Sequence, residues 1–201
     1  MTAGTWGMTL LGPEDSRQKW ADTFIDRTKI WVERDARNQE GTTHILRSAS
    51  FANASTAEIV RDLSMPLVTV INGLMRLEYG CEPLTTSGVI FEDTNGRRHV
   101  TAFADTGVFT VRIGRVRAYA GTPEQIEATK AAEKNYMQLR VELAQTDQHI
   151  AGALHYLARP ETWFDLYKAY EALRKIAKGE KGLEKLTGVS NGVFTLTPNP
   201  L

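Results

Sequence analysis

Residues 55–80 read STAEIVRDLSMPLVTVINGLMRLEYG. Within them Ile59, Leu63, Leu67, Val70, Leu74 and Leu77 recur at intervals of three or four, which sets them on one face of a helix turning about 100° per residue. Ser55 with Glu58 has the form of a capping box, where hydroxyl and carboxylate each satisfy a backbone N–H left free at the helix start. Pro66 lacks an N–H and crowds the carbonyl four residues back, so a kink or break is expected near Ser64 and Met65. Beyond it Val68, Ile71 and Met75 form a second apolar stripe, and a helix apolar on two sides is one buried on two sides. The rest of the chain is expected to pack on this helix.

Asn72 and Gly73 interrupt its apolar run. A mid-helix glycine costs about 1 kcal/mol against alanine, and a buried amide needs hydrogen-bond partners. Structurally, Gly73 admits a close neighbour and Asn72 bonds to adjacent backbone; functionally, Asn72 orients a ligand.

Toward the N-terminus, Trp6, Met8 and Leu10 alternate with smaller residues, which predicts a short strand closed by Gly12 and Pro13. Residues 16–41 predict a helix and then a strand around Lys29 to Val32, and His44 to Phe51 alternates as a strand leading into the core helix. After Cys81, residues 82–121 predict a meander of three strands. Asn95-Gly96 supplies a two-residue hairpin turn, Asp105-Thr106-Gly107 a second turn, and Phe109, Val111 and Ile113 face the core in the last strand.

Three helices should follow. Thr122, Pro123 and Gln125 open the first as a capping box with proline in the first turn, and it runs to about Ala144, carrying Ile126, Tyr136, Leu139 and Leu143 on the surface. Asp147 caps a second with Ile150, Leu154 and Leu157. The third runs from about Glu161 to Lys178 and lines up Trp163, Leu166, Tyr167, Tyr170, Leu173 and Ala177 on one face, read as core, with Asp165–Lys168 and Glu171–Lys175 spaced for surface ion pairs. Gly179 suits its C-terminus. The fold class is therefore α+β: a small antiparallel sheet of N-terminal strands plus meander, packed on the central helix and followed by a C-terminal helical subdomain. The divisions are 1–121 for the α+β core, 122–187 for the helices and 188–201 for a tail.

Apolar residues are 42% and charged ones 24% of the 201, ordinary for a globular chain. Lys plus Arg and Asp plus Glu number 24 each, which argues against affinity for nucleic acid through overall charge and leaves little repulsion between copies. One cysteine, Cys81, excludes an internal disulfide and suits a reducing interior. No apolar run approaches the ~20 residues that cross a bilayer, so no membrane and a cytoplasmic location are expected.

Two stretches carry a resemblance. SMPLVTVINGLMRLEYGCEPLTTSGVIFEDTNGRR, and then ALHYLARPETWFDLYKAYEALRKI with the later FTLTPN, resemble a group of uncharacterised bacterial proteins that share an Asn-Gly in a core helix, a Trp-x-x-Leu-Tyr-Lys-x-Tyr-Glu helix and a Phe-Thr-x-Thr segment. The resemblance covers about the last two thirds of the chain. It marks Asn72, Gly73, Trp163, Tyr167, Lys168, Tyr170 and Glu171 and implies no activity.

No catalytic or phosphate-cradling motif stands out. His149 and His155 are six apart and so on different helix faces, which disfavours a helical metal site, and no metal or cofactor is called for. Asn72, Tyr167, Tyr170 and Glu171 are candidates for shaping a ligand pocket. Arg97, Arg98, Arg112, Arg115 and Arg117, against the single acid Asp105, are candidates for binding phosphate or carboxylate. The leading expectation is a non-enzymatic module that binds a partner protein or assembles with itself as a homo-oligomer. One alternative is a small-molecule or nucleotide-binding protein, which would leave open an enzyme; the other is nucleic-acid binding through the arginines.

Overall fold

The computed structural model describes residues 4–36, 42–103, 122–158 and 162–187. Strand β1 (Gly4–Leu11) leads to α1 (Glu14–Thr23), the short β2 (Ile25–Asp26), β3 (Ile30–Asp35) and β4 (Thr43–Ser48). A single 3-10 turn precedes the long α2 (Ala57–Tyr79), and β5 (Thr85–Asp93) and β6 (Arg98–Ala102) complete the sheet. Four helices follow: α3 (Pro123–Thr146), α4 (Gln148–Ala158), α5 (Trp163–Ile176) and α6 (Glu180–Thr187). The architecture is α+β, as the sequence predicts, and the sheet runs β2-β3-β4-β1-β5-β6 with every neighbour antiparallel.

Register fixes the two faces of this sheet, because side chains alternate along a strand. Met8 lies opposite Leu46 and Val89, and Leu46 opposite Val32, so these residues share the face that α1 and α2 cover and form its buried core. The other face carries Gly7, Ile45, Arg47, Glu33, Asp35, Ile90, Glu92 and Arg98, and it is concave. β3 and β6 stand four strand spacings apart, about 19 Å across a flat sheet, yet Arg98 on β6 meets Asp35 on β3 in an ion pair. An arginine and an aspartate together cannot span a flat sheet of that width, so the sheet curls around this face. Ile45 and Ile90 are buried within the curl.

Helix α2 departs from its sequence reading at three points. Thr56 is its N-cap, accepting from the Ile59 N–H at 3.4 Å, one residue later than Ser55. It does not break at Pro66, which lies on the water side, where the Asp62 carbonyl that has lost its donor is exposed too. Along its middle both stripes are buried, Leu67, Val70 and Leu74 of the first and Val68, Ile71 and Met75 of the second, while Ile59, Leu63 and Leu77, the ends of the first stripe, are exposed.

Asn72 is buried, donating from Nδ2 to the Leu84 carbonyl at 2.8 Å and accepting the Leu84 N–H at 2.7 Å. It pairs like a strand residue with the chain entering β5. One residue on, a Cβ at Gly73 would stand 2.4 Å from the Leu154 carbonyl oxygen, so only glycine lets α4 lie this close to α2. α3 packs on the same helix, and Met137, Val141, Ala144 and Leu154 join the one buried cluster formed by sheet and α2.

The β5–β6 hairpin is built differently from its prediction. Gly96 N–H bonds to the Asp93 carbonyl at 3.0 Å and Asp93 N–H to the Arg97 carbonyl at 2.9 Å, which makes Thr94, Asn95 and Gly96 a three-residue loop. Gly96, at φ 76°, alone supplies the positive angle, and Asp93 Oδ1 accepts the N–H groups of Asn95 and Arg97 at 2.9 Å each. The third meander strand, with Arg112, Arg115 and Arg117, and the tail from 188 lie outside the described residues.

Candidate functional site

Two arrangements of side chains stand out: the charged floor of the curled sheet and the outward face of α5.

The floor is a network of charges. Arg47 on β4 crosses β1 at Gly7, where its own Cγ would lie 3.4 Å from any added Cβ, and donates from Nε to Glu33 at 2.6 Å and from Nη2 to Glu92 at 3.3 Å. Its Nη1 lies 3.3 Å and 3.4 Å from the carbonyl oxygens of Thr5 and Trp6. Arg98 donates from Nε to the same Glu92 oxygen at 3.0 Å and from Nη1 to Asp35, with Glu33 3.9 Å from its Nη2. Two guanidinium groups thus share three carboxylates. Burial works against the Arg98 charge, but its bonds to Asp35 and Glu92 outweigh that and hold its pKa above the ordinary value. The network acts as a strut across the curl, although Arg98 Nη2 is buried without a hydrogen-bond partner. Sequence reasoning missed Arg47, Glu33, Asp35 and Glu92. The one local signal is an arginine directly after the apolar pair Ile45-Leu46 in the strand segment HILRS.

Among the other candidates, Arg97 is exposed on the hairpin loop, away from Arg98 in the floor. Asn72 and Tyr167 are not brought together, because α4 lies between α2 and α5. Burial pushes the Cys81 thiol up to about 11, with Lys19 and Ser16 only partly opposing it, so the group is a protonated thiol rather than a nucleophile at neutral pH. Among the described residues no group of three or more His, Cys, Asp and Glu is placed to hold a metal ion. Between β2 and α3 an open cleft of about 180 Å³, lined by Asp26, Lys130, Lys134 and Asn135 among others, is smaller than the few hundred Å³ that ligand pockets usually offer.

Helix α5 is the unexpected element. Thr162 and Asp165 form its capping box: Thr162 Oγ1 accepts the Asp165 N–H at 3.3 Å and Asp165 accepts the Thr162 N–H at 2.9 Å. Asp165 is thereby committed to the cap rather than to Lys168, which pairs with Glu171 at 2.8 Å instead. Mutual attraction raises the Lys168 pKa and lowers that of Glu171. α5 packs on α4 through small residues, and Ala169 is its one buried residue. That contact turns the aromatic stripe outward, correcting its reading as core: Trp163 is 73% exposed, Phe164 61% and Tyr167 53%, and Leu166 and Leu173 are exposed beside them. Tyr170, half-buried, has its ring centroid 6.5 Å from that of Tyr167. The physical reason is that Ala169, the residue α5 buries, stands about 200° around the helix from Tyr167, so burying it turns the aromatic stripe to water. Phe164 was missed because it lies off the stripe that periodicity picked out.

Comparison with protein-family models, with curated proteins and with solved structures finds no match to this chain.

Proposed function

We propose that this protein is a non-enzymatic interaction module whose working surface is the outward face of α5. The observation that carries the reading is the exposure of three aromatic side chains, Trp163, Phe164 and Tyr167, on one helix; apolar side chains are exposed elsewhere too, Tyr136, Leu139 and Leu143 on α3 among them, but α5 gathers the aromatic ones. Taking about 200 Å² per aromatic side chain, these three residues alone expose on the order of 400 Å². That is about the size of the largest apolar patch on a typical monomer, a patch that often serves in binding. Trp and Tyr are also the residue types that dominate binding energy at protein interfaces. The thiol of Cys81, held protonated by burial, supports the same reading.

The test is photo-cross-linking with benzoylphenylalanine in place of Trp163, and in place of exposed Glu124 on α3 as control. A discrete, saturable protein adduct at 163 and none at 124 is expected. Absence of an adduct at 163, or equal adducts at both positions, contradicts the reading.

A further inference from the structure

We infer that α1 is a proton-operated latch: a proton arriving on His44 of β4 releases α1 from the sheet, with Gly12 as the hinge.

His44 lies under α1. It stands opposite Leu10 on β1 and Arg34 on β3, and two residues from Leu46, so it shares the sheet face that α1 and α2 cover. Arg17 of α1 donates from Nη1 to the Thr42 carbonyl at 3.4 Å, and Asp22 of α1 pairs with Arg34, so the helix is pinned to the sheet twice beside this histidine. The imidazole is fully buried, neither ring nitrogen makes a well-formed hydrogen bond, and Arg17 Nε, buried as well, has no partner. Such a position suits a neutral ring and penalises an imidazolium.

Burial is the largest influence on the ring and acts against a proton. The surrounding charges oppose one another. On α1, Glu14 favours the proton and Arg17 disfavours it, and these two pair with each other. Arg34 of β3 disfavours it and is paired with Asp22, the Thr42 carbonyl favours it, and β1 carries no charged residue. Holding a proton on His44 therefore requires water at the ring, and water enters when a covering element moves.

The element that yields most readily is α1. β1 and β3 flank His44 through the antiparallel ladder in the middle of the sheet. α1 has 10 residues, fewer than the ~12–15 at which an isolated helix becomes even marginally stable. Its N-cap is Pro13, which makes no side-chain cap bond, and its last turn has no basic residue to meet the helix dipole. Packing, with Trp20 fully buried, is what keeps it in place. Gly12, at φ 138°, joins β1 to Pro13 in a conformation that favours glycine, and it supplies the freedom for α1 to swing.

The test is hydrogen exchange of the full chain, followed by NMR at individual amides across about pH 8 to 5 and corrected for the intrinsic exchange rate. The amides of α1 are expected to exchange by an opening of lower free energy than those of β1 and β4. The α1 opening constant should rise as pH falls below 6.5, by at most about tenfold per pH unit, the limit for uptake of one proton. His44→Phe should leave that constant independent of pH. If His44→Phe does not fold, His44→Gln, polar and without a titrating group, takes its place, and the wild-type measurement decides by itself. Exchange of α1 amides only together with those of β1 and β4 overturns the inference. So does an α1 opening constant that is flat in wild type, or a pH response that persists without His44.

Discussion

Arg98 and Asp35, 63 residues apart and four strands apart in the sheet, form an ion pair across its concave face. This contact, with Glu33 3.9 Å from Arg98 Nη2, joins β6 to β3 across the curl. Asp35 is 7% exposed, and the Arg98 guanidinium helps to hold its charge. Removing one partner of a buried pair costs about 3–5 kcal/mol. Arg98→Met should therefore lower the unfolding free energy by about 3 kcal/mol in urea titration. Adding Asp35→Asn should restore part of the loss. A double variant less stable than Arg98→Met would deny the coupling.

Asn72 is predicted to be structural in its energetics. Asn72→Ala orphans both the N–H and the carbonyl of Leu84, each bonded within 2.8 Å and buried. At about 1–3 kcal/mol per unsatisfied buried group, a loss of about 3 kcal/mol is expected, measured as a fall in urea midpoint at unchanged slope.

Gly73→Ala tests the approach of α4. Helix propensity alone would stabilise by about 1 kcal/mol, but the new methyl would stand 2.4 Å from the backbone oxygen of Leu154, a contact that cannot yield without moving α4. The net effect should be destabilising by about 1–2 kcal/mol, with a lower Tm; a higher Tm would mean that α4 does not lie against this position.

His44 on β4 sets a pH dependence. It is 0% exposed and neither ring nitrogen makes a well-formed hydrogen bond. Burial is the largest influence and lowers its pKa below 6.5, with Glu14 of α1 opposing and Arg17 of α1 and Arg34 of β3 reinforcing. A depressed pKa means that the folded state resists the proton that the unfolded chain accepts. The stability is thus fully present above 6.5 and is lost as pH falls below it. Unfolding experiments should show stability declining as the pH falls below 6.5, and His44→Phe should remove the decline.

What the sequence made legible is local. Hydroxyl-plus-acid caps, an Asn-Gly turn and apolar periodicity placed α2, α3 and the β5–β6 hairpin within a residue or two, because those signals act between near neighbours. Ser55 and Thr56 are both good caps, so periodicity alone could not choose between them. Periodicity also finds which residues of α5 share a face, yet it carries no information on whether that face turns inward; the packing of alanines on α4 decides this. The Arg47–Glu33–Glu92–Arg98–Asp35 network depends on strand register across five strands, which no single segment encodes. The short α6 has few apolar residues and passed as polar connection.

The central claim is that Trp163 and its aromatic neighbours on α5, exposed on the folded chain, are covered when a partner docks. Its most direct test is the 19F spectrum of protein carrying 5-fluorotryptophan at its four tryptophans, recorded in buffer and in concentrated cell extract. Trp163→Phe identifies the Trp163 resonance, and Trp20, 0% exposed, serves as the internal reference. The account predicts a solvent-exposed Trp163 signal in buffer that shifts in extract, while Trp20 stays fixed. A Trp163 signal that is protected from solvent in buffer, or that is unmoved in extract, would contradict it.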